Sequence, residues 1–236
     1  MTGSAPEYRI DPDDPRAPST EVWNSLDAAE KRRIVGALPP DMPLDQKPPE
    51  GDAHRKPKNA ATDALDAFFR KTNRHAYVSS ELVVYYPDEP RFCPDVLVVF
   101  DVPNHERSRW VVSDEGKGLD FILEIHVSGE RKKDFERNVR RFAALGIPEY
   151  WIFDQPNGRL LGHRLPTNSD QYERVVPQGG RFNSQVLGLD LTVEAGRVRF
   201  YYGTAPLLFA DELGRQAQHH DHRIDGGARG SHAARR

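Results

Sequence analysis

Two acidic residues interrupt apolar stretches of the sequence. Asp95 follows Pro94 and precedes Val-Leu-Val-Val-Phe, and Glu124 stands within Ile-Leu-Glu-Ile-His. A charge inside an apolar strand is costly unless it has a partner or a metal ion. Carboxylates from two adjacent strands, with a free backbone carbonyl, suit Mg²⁺ or Mn²⁺, which leaves its other positions to water and substrate phosphate. Asp95 and Glu124 therefore predict a divalent-metal site of the phosphodiesterase kind.

His126 is the third candidate for chemistry. Residues two apart on a strand share a face, so Glu124 and His126 point the same way. An imidazole can accept a proton from water or bind a metal ion. Asp120 has the same parity but lies at the start of the predicted strand, where an acid that caps a loop is the commoner finding.

The elements that must position these residues alternate between helical and strand periodicity. We predict a core over residues 54–213 that is α/β, with a mixed central sheet flanked by helices and followed by C-terminal β-hairpins. Apolar spacing predicts helices at Ala60–Asn73 and Lys132–Leu145. The predicted strands are Ala76–Tyr86, Asp95–Phe100, Leu119–Val127, Glu149–Phe153, Leu160–Leu165, Val186–Val193 and Val198–Tyr202.

The two ends of the chain differ from the core in composition. Nine of the 19 prolines fall within the first 50 residues, which discourages regular structure there. We predict that residues 1–53 are an extension with one short helix at Leu26–Leu38, capped by Ser25 or Asn24. Residues 214–236 carry almost no apolar side chains, and we predict that this tail is disordered.

Charge and cysteine content limit the classes of partner and compartment. The formal net charge is −3, so attraction to a nucleic acid would depend on a local basic patch. Such a patch follows the predicted metal strand and includes Lys132, Lys133, Arg137 and Arg140, although a solvated helix face with salt bridges is the commoner explanation of such a run. A single cysteine excludes an internal disulfide. With no secretory or membrane segment in the sequence, we expect a cytoplasmic protein with no membrane partner.

Three segments in this order resemble the Uma-two family, which belongs to the PD-(D/E)XK superfamily of nucleases. They are Cys-Pro-Asp95-Val-Leu-Val-Val, Ile-Leu-Glu124-Ile-His126-Val-Ser128 and Gly146-Ile-Pro-Glu-Tyr-Trp-Ile-Phe-Asp. The resemblance covers roughly His54 to Leu208. It implies a restriction-endonuclease-like fold and Mg²⁺-dependent cleavage of DNA, with a homodimer as one form of assembly. It also implies that Asp95, Glu124 and the backbone carbonyl of Ile125 are metal ligands.

The chain departs from the superfamily pattern at its lysine. That lysine position holds His126, and the helix position from which a lysine serves in many family members holds Asn138. An imidazole can handle a proton, but it does not supply the permanent charge of a lysine. Two functions stay open on the sequence. One is a metal-dependent DNA endonuclease in which the catalytic His126, or instead Lys132 or Lys133 from the start of the next helix, handles the proton. The other is a nuclease-fold module that has lost catalysis and acts in nucleic-acid binding or protein interaction.

Overall fold

The computed structural model describes residues 8–44, 51–128 and 133–215, which form five α-helices and twelve β-strands. The helices are α1 (Thr20–Ser25), α2 (Ala28–Ala37), α3 (Asp52–Lys71), α4 (Val112–Glu115) and α5 (Asn138–Ala144). The strands are β1 (Ala76–Ser79), β2 (Val84–Tyr85), β3 (Val96–Phe100), β4 (Trp110–Val111), β5 (Phe121–His126), β6 (Glu149–Asp154), β7 (Arg159–Arg164), β8 (Glu173–Val175), β9 (Phe182–Ser184), β10 (Leu189–Glu194), β11 (Arg197–Tyr202) and β12 (Ala205–Pro206).

A six-stranded mixed sheet in the order β1-β3-β5-β6-β7-β8 forms the centre. The pair β5 and β6 is parallel, and every other neighbouring pair in this sheet is antiparallel. A parallel pair requires a crossover connection, and here a π-helical turn at Lys133–Arg137 and α5 provide it. This confirms the predicted α/β architecture and brings the ends of β5 and β6 side by side.

Each face of the central sheet has its own apolar layer. On one face, α3 and the second sheet, β12-β11-β10-β9, enclose Leu65, Phe69, Trp151 and Phe200. On the opposite face, α5 contributes Phe142, which packs beside a cluster that includes Trp110, Ile122 and Tyr150. Both faces of β3, β5 and β6 are therefore buried, as their nearly continuous apolar sequence requires.

The structure corrects several predicted elements. The helix predicted over Lys132–Leu145 is a π-helical turn at Lys133–Arg137 followed by α5. The single strand predicted over Ala76–Tyr86 is divided between β1 and β2, which belong to different sheets, because Glu81 adopts a left-handed conformation with φ +56°. That conformation cannot continue a strand. The helix predicted from Ala60 begins at Asp52 instead, and Pro57 lies inside its first two turns. The earlier start places His54 and Lys58 on the helix.

The N-terminal extension forms a packed layer. Helices α1 and α2 bury Ala17, Trp23, Ile34 and Leu38 against the small β2–β4 sheet. The one predicted helix is confirmed at α2, but α1 was not predicted, and the predicted caps are wrong because Asn24 and Ser25 belong to α1. The side chain of Asp27 accepts from the backbone N–H groups of Ala29 and Glu30, and Glu30 completes a capping box. Gly214 and Arg215, the first two residues of the predicted disordered tail, are helical. The rest of that tail lies outside the described residues. Within the described ranges, no helix is long and apolar enough to cross a membrane.

His163 is a buried titratable residue of the central sheet. Its ring stacks on Tyr150 with the centroids 5.8 Å apart, and its Nδ1 donates to the carbonyl oxygen of Tyr150 at 3.2 Å. Burial, and then the positive charge of Arg174, lower the pKa of His163 from 6.5 to about 4. The imidazole is therefore neutral in the folded protein at neutral pH.

We predict that Ile34→Ala lowers the free energy of unfolding by about 2–5 kcal/mol, because it leaves a cavity between the N-terminal layer and the rest of the fold. Ile34 is fully buried, whereas Val22, on α1, is 37% exposed. Val22→Ala is the matched control and should change stability by less than about 1 kcal/mol. Urea unfolding measures both. Equal midpoints for the two variants would show that the layer is not packed as described.

A second prediction concerns the pH dependence of stability. Unfolded histidine takes up a proton near pH 6.5, whereas folded His163 does so only near pH 4. The stability that neutral His163 provides should therefore be lost as pH falls from about 6.5 to about 4, by up to about 3 kcal/mol. Urea unfolding across this range should show a weaker pH dependence for His163→Gln than for wild type. His105→Gln, at an exposed site, should keep the wild-type dependence. If His163→Gln also keeps the wild-type pH dependence of stability, His163 is not a buried neutral imidazole in the folded protein.

Candidate active site

The sheet register brings Asp95 and Glu124 together. Val96 pairs with Leu123 in the antiparallel β3–β5 ladder, so Asp95, immediately before β3, lies opposite Glu124. The backbone nitrogen of Asp95 is 3.4 Å from Oε2 of Glu124. Asp95 is 6% exposed, and Glu124 is half-buried. The structure thus places the two predicted metal ligands at one point, where β3 begins beside β5.

Two hydrogen-bond donors hold the Asp95 carboxylate. The backbone N–H of Ile125 donates to Oδ2 at 2.7 Å, and Nε2 of His54 lies 3.0 Å from the same oxygen. Because a carboxylate only accepts, Nε2 of His54 carries the hydrogen in this contact. A role for His54 was not predicted from the sequence, since this residue precedes the predicted helix and contacts Asp95 only across the fold.

The same face of α3 carries a buried lysine. Lys58 lies one helical turn after His54, and its Nζ forms an ion pair with Oε1 of Glu81. The backbone N–H of Glu81 donates to the carbonyl oxygen of Pro94 at 3.0 Å. The ion pair is therefore linked to the chain directly before Asp95. The first turns of α3 thus bring an imidazole to Asp95 and an ammonium group to Glu81.

His126 ends β5 as a buried side chain, 7% exposed. Its Nδ1 lies 3.0 Å from Oδ2 of Asp134, and the edge of its ring meets Phe135 at 5.2 Å between centroids. The other oxygen of Asp134 accepts from Nδ2 of Asn138 at 3.4 Å. His126 and Asn138 occupy the two positions at which the resemblance places a lysine. In this chain the carboxylate of Asp134 contacts both residues.

Tyr150 fixes the backbone beside this carboxylate. Its hydroxyl donates to the carbonyl oxygen of Asp134 at 3.1 Å, and its ring lies in the core on β6. Burial, and then the negative charges of Glu124 and Asp134, raise the pKa of Tyr150 well above its ordinary value of 10. Tyr150 therefore stays a hydrogen-bond donor and ties the π-helical turn to the sheet.

The donor set at the acidic pair suits a hard divalent cation. Carboxylates of the kind that Asp95 and Glu124 provide are the ligands that Mg²⁺ and Mn²⁺ prefer, and Mg²⁺ commonly takes only one or two of them. In the described residues, no group of three or more His, Cys, Asp or Glu side chains is arranged to hold a metal ion. The pair thus fits an open site that water and substrate complete, and the carbonyl of Ile125 as a third ligand stays a prediction.

The described residues of the predicted basic patch lie on the π-helical turn and α5, and the neighbouring Arg141 is not part of it. Arg140 is exposed on α5 and lies 3.7 Å from Glu136, four residues earlier. Lys133 is exposed on the π-helical turn. Arg141 instead stacks on Phe92 and donates to the carbonyl oxygen of Pro90, so its role is structural. Lys132 lies outside the described residues.

Asp120 has the role predicted for it, at the start of β5. Its Oδ2 accepts from the backbone N–H of Phe100 at 2.7 Å and pairs with Lys117 at 3.1 Å. These contacts connect the end of β3 to the loop before β5. Asp120 is thus a structural acid on the same strand as Glu124.

Comparisons with known proteins give one family. The Uma2 family model, described as "Putative restriction endonuclease", matches residues 43–194. Among solved structures, the chain is similar to a protein from Anabaena variabilis that is described as a putative nuclease belonging to DUF820, with 18% identity and a TM-score of 0.43. That match covers 55% of this chain and 73% of the other. No curated protein matches the sequence.

Proposed function

Because this chain belongs to the Uma2 family, we propose that it is a nuclease that hydrolyses phosphodiester bonds of DNA with a divalent metal ion held by Asp95 and Glu124. The observation that carries the proposal is that these two acidic residues lie opposite each other where β3 and β5 adjoin, with the Asp95 backbone nitrogen 3.4 Å from Oε2 of Glu124. Two carboxylates inside an otherwise apolar sheet can bind a divalent metal ion.

The chain's own residues orient this site. The N–H of Ile125 and the ring of His54 fix Asp95, and β5 fixes the backbone of Glu124. The carbonyl of Ile125 would complete the protein's ligands. A bound Mg²⁺ or Mn²⁺ supplies charge that polarises the phosphate and makes a coordinated water more acidic.

His126 is the group proposed to handle the proton. It lies on the same face of β5 as Glu124, two residues further on. In the proposed reaction a water oxygen bonds to phosphorus while the imidazole accepts the water proton. The bond from phosphorus to the leaving oxygen breaks, and that oxygen takes a proton from solvent. The products are a phosphomonoester end and a free hydroxyl.

Local basic residues would hold the DNA backbone. The net charge of −3 gives no general attraction to a polyanion, so the contacts must be local. Lys133, Arg137 and Arg140 lie on the π-helical turn and α5, directly after the strand that carries Glu124 and His126. Lys132 would extend this patch. A homodimer and a cytoplasmic location stay predictions from the sequence.

We predict that Asp95→Asn and Glu124→Gln abolish both metal binding and cleavage. Loss of residues outside the metal's own ligands typically costs 10- to 100-fold, so the loss of a ligand should cost at least about 100-fold in cleavage rate. Nicking of supercoiled plasmid with Mg²⁺ or Mn²⁺ and calorimetric titration of the metal measure the two effects. Asp120→Asn is the matched control, because Asp120 is an acid beside the same strand with a structural role. Metal binding by all three variants equal to wild type would contradict the site.

The alternative is a nuclease-fold module that has lost catalysis. The observation in its favour is that neither His126 nor Asn138 is a lysine. Failure of the folded, metal-binding protein to cut any DNA or RNA would support this alternative. His126→Lys then tests whether only the catalytic group has been lost. If this variant cuts while wild type does not, the chain is a lapsed nuclease that retains its metal site.

A further inference from the structure

We infer that Asp134 is a positioning residue. It orients His126 for catalysis by fixing which ring nitrogen carries the hydrogen, and Asn138 holds the Asp134 carboxylate in place. The inference rests on the proposed function for its catalytic meaning. Its structural basis is independent, because it depends on contacts among His126, Asp134, Asn138 and Tyr150 rather than on the metal site.

The tautomer of His126 follows from its partner. Asp134 Oδ2 lies 3.0 Å from Nδ1, and a carboxylate only accepts hydrogen bonds, so Nδ1 must donate. In the neutral ring the lone pair is then on Nε2. Nε2 makes no hydrogen bond within the described ranges, and it is not fully enclosed there. The ring nitrogen left to accept the proton of a water molecule is thus Nε2.

The surroundings of the pair limit rotation of the ring. Asp134 and Phe135 are consecutive, and both contact His126, one through a hydrogen bond and one through the edge of its ring. They lie in the π-helical turn Lys133–Arg137. Such wider turns recur at functional sites because they change the direction of side chains. Here the turn brings two successive side chains to one imidazole.

Asp134 is itself anchored on both sides. Asn138 donates to Oδ1 at 3.4 Å, and Tyr150 donates to the backbone carbonyl at 3.1 Å. Since Tyr150 belongs to the sheet core, the carboxylate keeps its position relative to β5. Asn138 can donate through its neutral amide, whereas a lysine at this position would place a positive charge beside His126. A carboxylate in this position also stabilises the imidazolium that forms when the ring accepts a proton.

The His126–Asp134 pair would take over one function of the superfamily lysine. It provides a directed proton acceptor. A purely structural pair would fix the same tautomer, but the cleavage rate would not depend on it. The tautomer therefore tests the contact, and the cleavage rate tests its catalytic role.

The first test is NMR of the full-length chain with ¹⁵N-labelled histidine, at a pH of about 8, where an ordinary imidazole is neutral. His126→Gln identifies the His126 signals by their absence. We expect long-range ¹H–¹⁵N couplings of an Nδ1–H tautomer in wild type and in Glu136→Gln. Glu136 is the matched control, because it is exposed on the same turn and its substitution removes the same charge. Asp134→Asn should shift His126 toward the Nε2–H form. An Nε2–H form in wild type, or no shift in Asp134→Asn, would overturn the inference.

The second test is cleavage kinetics with Mg²⁺ or Mn²⁺. Asp134→Asn should lower kcat at least about tenfold, with the KM for DNA and the metal affinity unchanged. Asp134→Glu, which keeps the acceptor, should recover part of the rate, and Glu136→Gln should behave as wild type. Thermal melting confirms that each variant is folded. If wild type cuts and Asp134→Asn cuts equally well, the inference fails while the proposed function stands. If wild type does not cut, the proposed function fails, and the NMR result still decides whether Asp134 fixes the ring.

Discussion

The burial of the Asp95 carboxylate is the constraint on which the site depends. A carboxylate removed from water is stable only with strong donors or a cation beside it. Here β5 contributes the N–H of Ile125 and α3 contributes the ring of His54, both to the same oxygen. This requirement fixes the register of β3 on β5 and the position of the first turns of α3. The acidic pair is thus a product of three elements that are distant in sequence.

The periodicity of single elements could be predicted from the sequence, and it gave much of the fold. Alternation placed Glu124 and His126 on one face, and apolar spacing placed the end of α5 within one residue. The cap of α2 could also have been predicted, because Asp27-x-x-Glu30 is a capping-box pattern. The break at Glu81 could not, since nothing local shows that this residue leaves the strand with a positive φ.

Contacts across the fold explain what the sequence left out of the site. His54 reaches Asp95 over 41 residues, and no spacing rule connects them. Asp134 was not predicted as a site residue, because its sequence surroundings are polar. Its role depends on the π-helical turn, which places it against His126. Sequence patterns identify ligands that interrupt an apolar strand more readily than the residues that orient them.

The most direct test of the central claim, a metal site between Asp95 and Glu124, is the paramagnetic effect of Mn²⁺ on the backbone NMR signals. At substoichiometric Mn²⁺ we expect the amide signals of Asp95, Ile125 and His126 to broaden first. The signals of Arg70 and Lys71 should stay sharp, because they lie about 24 Å along α3 from His54. Glu124→Gln should remove the selective broadening. Broadening centred on other acidic residues, or none at all, would contradict a metal site at the junction of β3 and β5.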